Sequence, residues 1–172
     1  VMFNVEKMNF LIKGILDYST IDKLETEDKH IDFNPMIEEV LQTLHIPDHI
    51  KITVQDNLPS LYGNAWRFKQ VFQNLIQNAI NYNDKENGVV EVGYSEQEDC
   101  HQFFVKDNGV GIKSDYFERI FKVFTKLEST GSSSGIGLSI VKKIITLYKG
   151  TIWVESQEGV GSTFYFTLLK NR

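Results

Sequence analysis

The residues in this sequence best suited to chemistry are amides and a carboxylate set beside glycines. Within residues 64–82, Asn74, Asn78 and Asn81 recur at helical spacing. At about 100° per residue they fall within an arc of about 60°. The neighbouring face is filled by Phe68, Val71, Phe72, Leu75, Ile76 and Ala79. Asparagine costs a helix roughly 0.5 kcal/mol relative to alanine, because its side chain competes for backbone partners. A plain solvated face is built more cheaply from Glu, Lys or Gln. One reading is therefore polar boundary residues with no role. The other is a row of neutral oxygens that holds a metal and phosphates without adding negative charge. Mg²⁺ suits such a row, since phosphates and water supply most of its ligands.

A second cluster, Asp107-Asn108-Gly109-Val110-Gly111-Ile112, follows a strand-like stretch. Asn-Gly is a strong hairpin signal, but the residues after it, Ser114-Asp115-Tyr116-Phe117, read as a helix start and not as a returning strand. Closely spaced glycines let a backbone pass near something flat or bulky. A carboxylate beside that bend is placed to accept an N–H from a bound base. The third cluster, Gly135-Ile136-Gly137-Leu138, opens a helix after a Ser/Gly loop, and bare N–H groups at a helix start bind phosphate. A dinucleotide fold is excluded because no strand precedes these glycines and the third glycine is missing. No Gly-Lys-Ser/Thr run exists for a phosphate-binding P-loop, and the protein-kinase signatures are absent.

Composition narrows the partners. Eighteen basic residues against 23 acidic ones give a formal charge of −5, which argues against a nucleic-acid or anionic-membrane footprint. The single cysteine, Cys100, excludes an internal disulfide framework. No apolar run approaches the roughly 18 residues of a membrane span. The expectation is a cytoplasmic mixed α/β domain.

The elements that must carry these clusters follow from periodicity. Val1, Val5, Met8, Ile12 and Ile15 form a short coiled-coil-like seam on a first helix reaching about residue 24, with Leu11, Leu16 and Tyr18 widening its apolar surface. This helix either folds onto its own domain or is a fragment of a longer pairing helix. A polar linker at residues 25–29 marks the boundary, giving segments 1–28 and 29–172. Ile31 and Phe33 suggest a short strand, and Asn34-Pro35 a cap followed by proline at the first helical position. Strands are expected at 51–54, 89–94, 102–106, 151–156 and 163–169. Helices are expected at 35–44, from the Asn64 cap to Tyr82, at 117–124, and at 136–148. Residues 128–134 read as a loop. The predicted fold is α+β: a two-layer sandwich of a mixed, roughly five-stranded sheet on three helices, preceded by the N-terminal helix.

These residues resemble a known family. Asn74-Leu75-Ile76-Gln77-Asn78 within residues 70–80 resembles the asparagine box of sensor histidine kinases, and Asp107 to Ile112 their first glycine box. Residues 117–124 resemble the phenylalanine box, residues 134–141 the second glycine box, and Gly159-Val160-Gly161-Ser162-Thr163-Phe164 the third. The order is the family's, and the second half is closest to bacterial phytochrome-type and hybrid kinases. The resemblance implies an ATP-binding sandwich of the superfamily shared with gyrase, heat-shock chaperone and mismatch-repair ATPases. It implies that Asp107 bonds the adenine amino group with Thr163 nearby, that Gly109 and Gly111 let the loop pass the base, and that Ile112 is among the ATP-binding residues. It further implies that Asn78, helped by Asn74, holds Mg²⁺, and that Tyr82 packs against the nucleotide. A lid from Lys122 to Ser134, including Phe124, would lead to Gly135, Ile136, Gly137 and Leu138 at the phosphates.

Two departures from the family stand out. Many relatives carry a basic residue where this chain has Asn81, leaving Lys122 or Lys126 as candidate substitutes. Hydrolytic branches place a glutamate where this chain has Asn74, so its absence favours transfer to a protein acceptor over hydrolysis. The acceptor histidine is not found: His30, His45, His49 and His101 all lack the following acid. Residues 8–23 resemble instead the end of the second helix of the dimerisation hairpin. The implied partners are that hairpin, a second copy of the chain, and a response-regulator receiver domain. A nucleotide-sensing module without transfer and an anti-sigma-factor-type serine kinase are the alternatives.

Overall fold

The computed structural model describes residues 2–23, 27–122 and 135–170. The chain runs α1 (Met2–Thr20), β1 (Lys29–Asp32), α2 (Phe33–Thr43), β2 (Ile50–Val54), β3 (Ser60–Gly63), α3 (Ala65–Asn81), β4 (Gly88–Glu96) and β5 (Cys100–Asp107). It continues through 3₁₀ turns at Ser114–Tyr116 and Arg119–Phe121 to α4 (Gly137–Leu147), β6 (Ile152–Gln157) and β7 (Gly161–Leu169). The five-stranded sheet has the order β2-β4-β5-β7-β6, with only β2 and β4 parallel. A parallel pair needs a long crossover, and the segment carrying α3 supplies it. The expected sandwich is present.

Period-2 alternation sets the layers. Val90, Val92, Phe103, Val105, Phe164, Phe166 and Leu168 are buried on the inner face of the sheet. The fully buried Phe33, Phe72, Leu75 and Ile144 meet them from the helices. Phe103 stacks on Phe166 at 5.2 Å between centroids, and Phe33 lies 5.1 Å from Phe103. On the outer face, register aligns Gly93, Phe104, Tyr165 and Trp153 in one row across the strands. Trp153 and Tyr165 stack at 5.3 Å, and the Phe104 ring covers Gly93, where a Cβ would come within 2.2 Å of it.

Several local expectations are revised. The cap of α2 is Asp32, whose side chain accepts the Asn34 N–H. Asn34 turns away: its Nδ2 donates to Gln55 O and its Oδ1 accepts the Leu58 N–H. Pro35 therefore sits one turn inside the cap, where its missing N–H still costs no helical bond. Strand β3 was not expected; it pairs with β1 in a separate two-stranded sheet, so its order comes from a partner about thirty residues away. The helix expected at 117–124 is two 3₁₀ turns up to residue 121. Phe124 lies outside the described residues.

The C-terminal half of α1 packs on the helical layer. The Lys143 ammonium donates to Tyr18 O at 3.0 Å, pairs with Asp22 at 2.6 Å and lies 4.4 Å from the centre of the Tyr18 ring. Arg67 Nη2 donates to Ile21 O at 2.8 Å, and Ile21 is fully buried. Two cations thus meet carbonyls at the negative end of the α1 dipole. Met8, Ile12, Ile15 and Leu16 stay about half exposed on the other face. Val1, Val5 and Leu11 of the expected seam lie outside the described side chains.

Candidate functional site

Asp107 ends β5, in the inner row that contains Phe103 and Val105. Its Oδ1 accepts the Gly109 N–H at 2.8 Å and the Ser162 N–H at 3.3 Å. Burial pushes the carboxyl up to about 6, and the two N–H donors only partly offset this. Among the described residues the hydrogen bonds to this carboxylate end on Oδ1, which leaves Oδ2 for an outside donor.

The loop after Asp107 is held on both sides. Val110 N–H donates to Tyr82 O at 3.0 Å, and Gly159 N–H donates to Val110 O at 2.7 Å. Asn108 Oδ1 accepts both the Val89 N–H and Asn83 Nδ2. At Gly109 a Cβ would lie 2.3 Å from Tyr82 O; at Gly111, with φ +73°, it would lie 2.1 Å from Gln157 O. The neighbours that demand glycine at these two positions are the chain's own backbone carbonyls. Ile112 is tied by its N–H to Ser156 Oγ at 2.8 Å.

Helix α3 links this loop to the start of α4. Its cap is Asn64, as expected, accepting the Arg67 N–H. Tyr82 ends it beside Gly109. Asn74 Nδ2 donates to Gln70 O at 2.7 Å, and its Oδ1 sits where a Cβ on Gly137 would come within 2.7 Å. Asn78 is half-buried between them, and residues 74 to 82 span about 12 Å of helix. Asn81 is exposed and accepts Gln77 Nε2 at 2.9 Å, so it does not join the other two amides.

At the start of α4, Ile136 occupies the cap position and no side chain caps the helix. The first turn carries no acid. Such an end presents N–H groups and a partial positive charge, which suits phosphate. Gly135 and Gly137 flank Ile136, whose side chain is 1% exposed and faces Gly14 of α1. The Ile136 side chain is therefore committed to the contact between α4 and α1. Leu138 is half-buried against the core.

The strand register corrects one expectation. Thr163 pairs with Lys106 and Glu155, in the outer row with Tyr165, so its side chain is on the opposite face from the Asp107 carboxylate. The residue opposite Asp107 is Ser162, which is 5% exposed and hydrogen-bonded to Ser156 Oγ. Ser162 was missed although the period-2 pattern back from Phe164 points to it. Ser156 was missed because a serine on an edge strand carries no signal of its own. Lys122 is exposed at the edge of the described residues; Lys126 and Ser134 lie outside them, with most of the expected lid.

Among the described residues no group of three or more His, Cys, Asp or Glu is placed to hold a metal. The oxygens here are neutral amides, a donor set that fits Mg²⁺ only when phosphates bring the charge. No helix among the described residues is long and apolar enough to cross a membrane.

The chain is similar to known proteins over most of its length. The profile for histidine kinase-, DNA gyrase B- and HSP90-like ATPases matches residues 63–172. Cyanobacterial phytochrome B of Nostoc sp. strain PCC 7120 is 39% identical over 170 residues, covering 95% of this chain but 23% of the relative, so the chain spans under a quarter of that protein. The catalytic domain of histidine kinase ThkA superposes with a TM-score of 0.69 at 28% identity, covering 84% of this chain and 97% of that one. Full-length ShkA in complex with AMPPNP superposes with a TM-score of 0.77 at 23% identity, covering 95% of this chain and 36% of that one. The fold is that of histidine kinase catalytic domains, and the chain belongs to the histidine kinase-, DNA gyrase B- and HSP90-like ATPase family.

Proposed function

We propose that this chain is the ATP-binding catalytic part of a two-component sensor histidine kinase, and that it transfers the γ-phosphoryl group of Mg·ATP to a histidine on a dimerisation hairpin. The observation that carries this reading is the single face of α3 that joins the half-buried Asp107 loop at Tyr82 to the uncapped start of α4 at Asn74. A nucleoside triphosphate fits along that face, base at one end and phosphates at the other. Asp107 Oδ2 accepts an N–H of the adenine amino group. The N–H groups of α4 would hold phosphate oxygens, and the Asn78 amide oxygen would hold Mg²⁺. Bound Mg²⁺ neutralises phosphate charge. Asn74, bonded to Gln70 and packed on Gly137, offers no carboxylate to activate water, so the bound phosphoryl group is kept for a protein acceptor.

In this reading residues 1–28 are the end of the hairpin's second helix and the linker. The half-exposed Met8, Ile12, Ile15 and Leu16 support this, because they leave an apolar face for the missing helix and a second copy. A response-regulator receiver domain is the downstream partner, and the cytoplasm is the compartment where ATP and that partner meet. Calorimetric titration of Mg·ATP into the chain, with Asp107→Asn as control, tests the first step. Adding a separate acceptor hairpin with radiolabelled ATP tests transfer. Acid-labile label on the hairpin is the expected result. No ATP binding by the wild type refutes the catalytic reading; binding without label identifies a sensing module, and acid-stable label a serine kinase.

A further inference from the structure

We propose that Ser156 is a positioning residue that fixes the Ser162 hydroxyl as a hydrogen-bond acceptor, so that Ser162 and Asp107 together select a 6-amino purine over a 6-oxo purine. The inference rests on the reading of Asp107 as the base end of the site.

The argument is a proton count. A serine hydroxyl has one proton and two lone pairs. Ser156 Oγ has three neighbours. Ile112 N–H, at 2.8 Å, can only donate and takes one lone pair. Gly161 O, at 2.8 Å, can only accept and takes the proton. Ser162 Oγ, at 2.9 Å, is left to donate into the second lone pair. The Ser162 proton is thereby committed to Ser156, and only its lone pairs remain for other groups. Ser162 sits directly opposite Asp107 in the β5–β7 register, on the same face. Its N–H is also engaged, on Asp107 Oδ1.

The consequence is a pair of acceptors side by side at the end of the sheet. An amino group at position 6 has two N–H bonds and satisfies both. A carbonyl at position 6 brings a third acceptor and no donor, and a polar pocket left unpaired in this way rejects the wrong ligand strongly. Ser156 does this without touching the base. It also ties the 109–112 loop to the 157–161 turn, so a purely structural role must be separated from the electronic one.

The ratio of affinities for Mg·ATP and Mg·ITP makes that separation, because inosine differs from adenosine in carrying a 6-oxo group and an N1–H. Wild type is expected to favour ATP. In Ser156→Ala the freed Ser162 hydroxyl can turn and donate to the 6-oxo group, and the ratio falls by about tenfold. Ser156→Thr keeps the hydroxyl and holds the ratio within about twofold of wild type. Ser162→Ala, which leaves the Ser156 ties to Ile112 and Gly161 in place, removes one acceptor and lowers the ratio as well. It decides the matter should Ser156→Ala fail to fold. If Ser156→Ala weakens both nucleotides equally, or Ser162→Ala leaves the ratio unchanged, the inference is overturned while the nucleotide site stands. If wild type binds neither nucleotide, the reading of the site falls and this inference with it.

Discussion

Asp107→Asn should make the empty protein more stable and the site useless. The carboxyl is pushed from its ordinary value of 3.8 up to about 6, so the folded chain holds a proton where the unfolded chain has released it. Stability from this group is therefore intact below about pH 4 and falls as pH rises through the window from about 4 to about 6. At about 1.4 kcal/mol per unit the ionised carboxylate costs the fold about 3 kcal/mol at pH 7. Asparagine removes that cost and keeps an oxygen to accept the Gly109 and Ser162 N–H groups, although these bonds weaken by about 1 kcal/mol without the charge. The net gain is about 2 kcal/mol, or about 4–8 °C for a domain of this size. Binding moves the other way. The amide N–H₂ now faces the amino group of adenine, donor against donor, and affinity should drop by about a hundredfold or more. Urea denaturation of both proteins between pH 4 and pH 8 provides the test, with ATP titration at pH 7.5. The stability difference should be near zero at pH 4 and complete above about pH 7. A variant less stable than wild type at pH 7, or a difference independent of pH, refutes the account of the buried carboxylate.

Further expectations concern the elements that shape the site. Gly137→Ala forces a Cβ to within 2.7 Å of Asn74 Oδ1 and should cost about 1–3 kcal/mol in thermal or urea unfolding while weakening ATP. Asn78→Ala should weaken Mg·ATP but leave adenosine affinity unchanged, which competition titrations with and without Mg²⁺ would reveal. Lys143→Ala removes the tie to Tyr18 O and Asp22, so amide exchange in residues 14–22 should accelerate while the strands stay protected. Phe72→Ala leaves a cavity among Phe33, Phe103 and Phe166 and should cost about 3–5 kcal/mol by urea denaturation.

Where a signal was local, the residues alone were enough. Helix α3 was legible from its Asn64 cap and its apolar arc, and so were the hairpin strands β4 and β5, whose alternation survives without knowledge of their neighbours. The ordered glycine and asparagine boxes carried the family. What stayed hidden depended on partners distant in the chain. β3 exists because β1 offers it a ladder. Asn34 looked like a cap, yet it lost that place to Asp32 because Gln55 and Leu58 claim its amide.

The same division runs through the site. Residue type and spacing put Asn74 and Asn78 on one face of α3, a carboxylate at the end of β5 and glycines at the start of α4, because helical and strand periods fix which side chains share a face. The alternation back from Phe164 marks Ser162 as the inward hydroxyl, but only the tertiary structure decided that it stands beside the carboxylate. Thr163 and Ser162 are adjacent in sequence, but strand geometry sends them to opposite faces, and the β5–β7 register sets Ser162 against Asp107. Tertiary packing likewise made Asn74 a neighbour of Gly137 and surrounded Gly109 and Gly111 with the chain's own carbonyls. Register and close approach are relations between segments, and no single segment contains them.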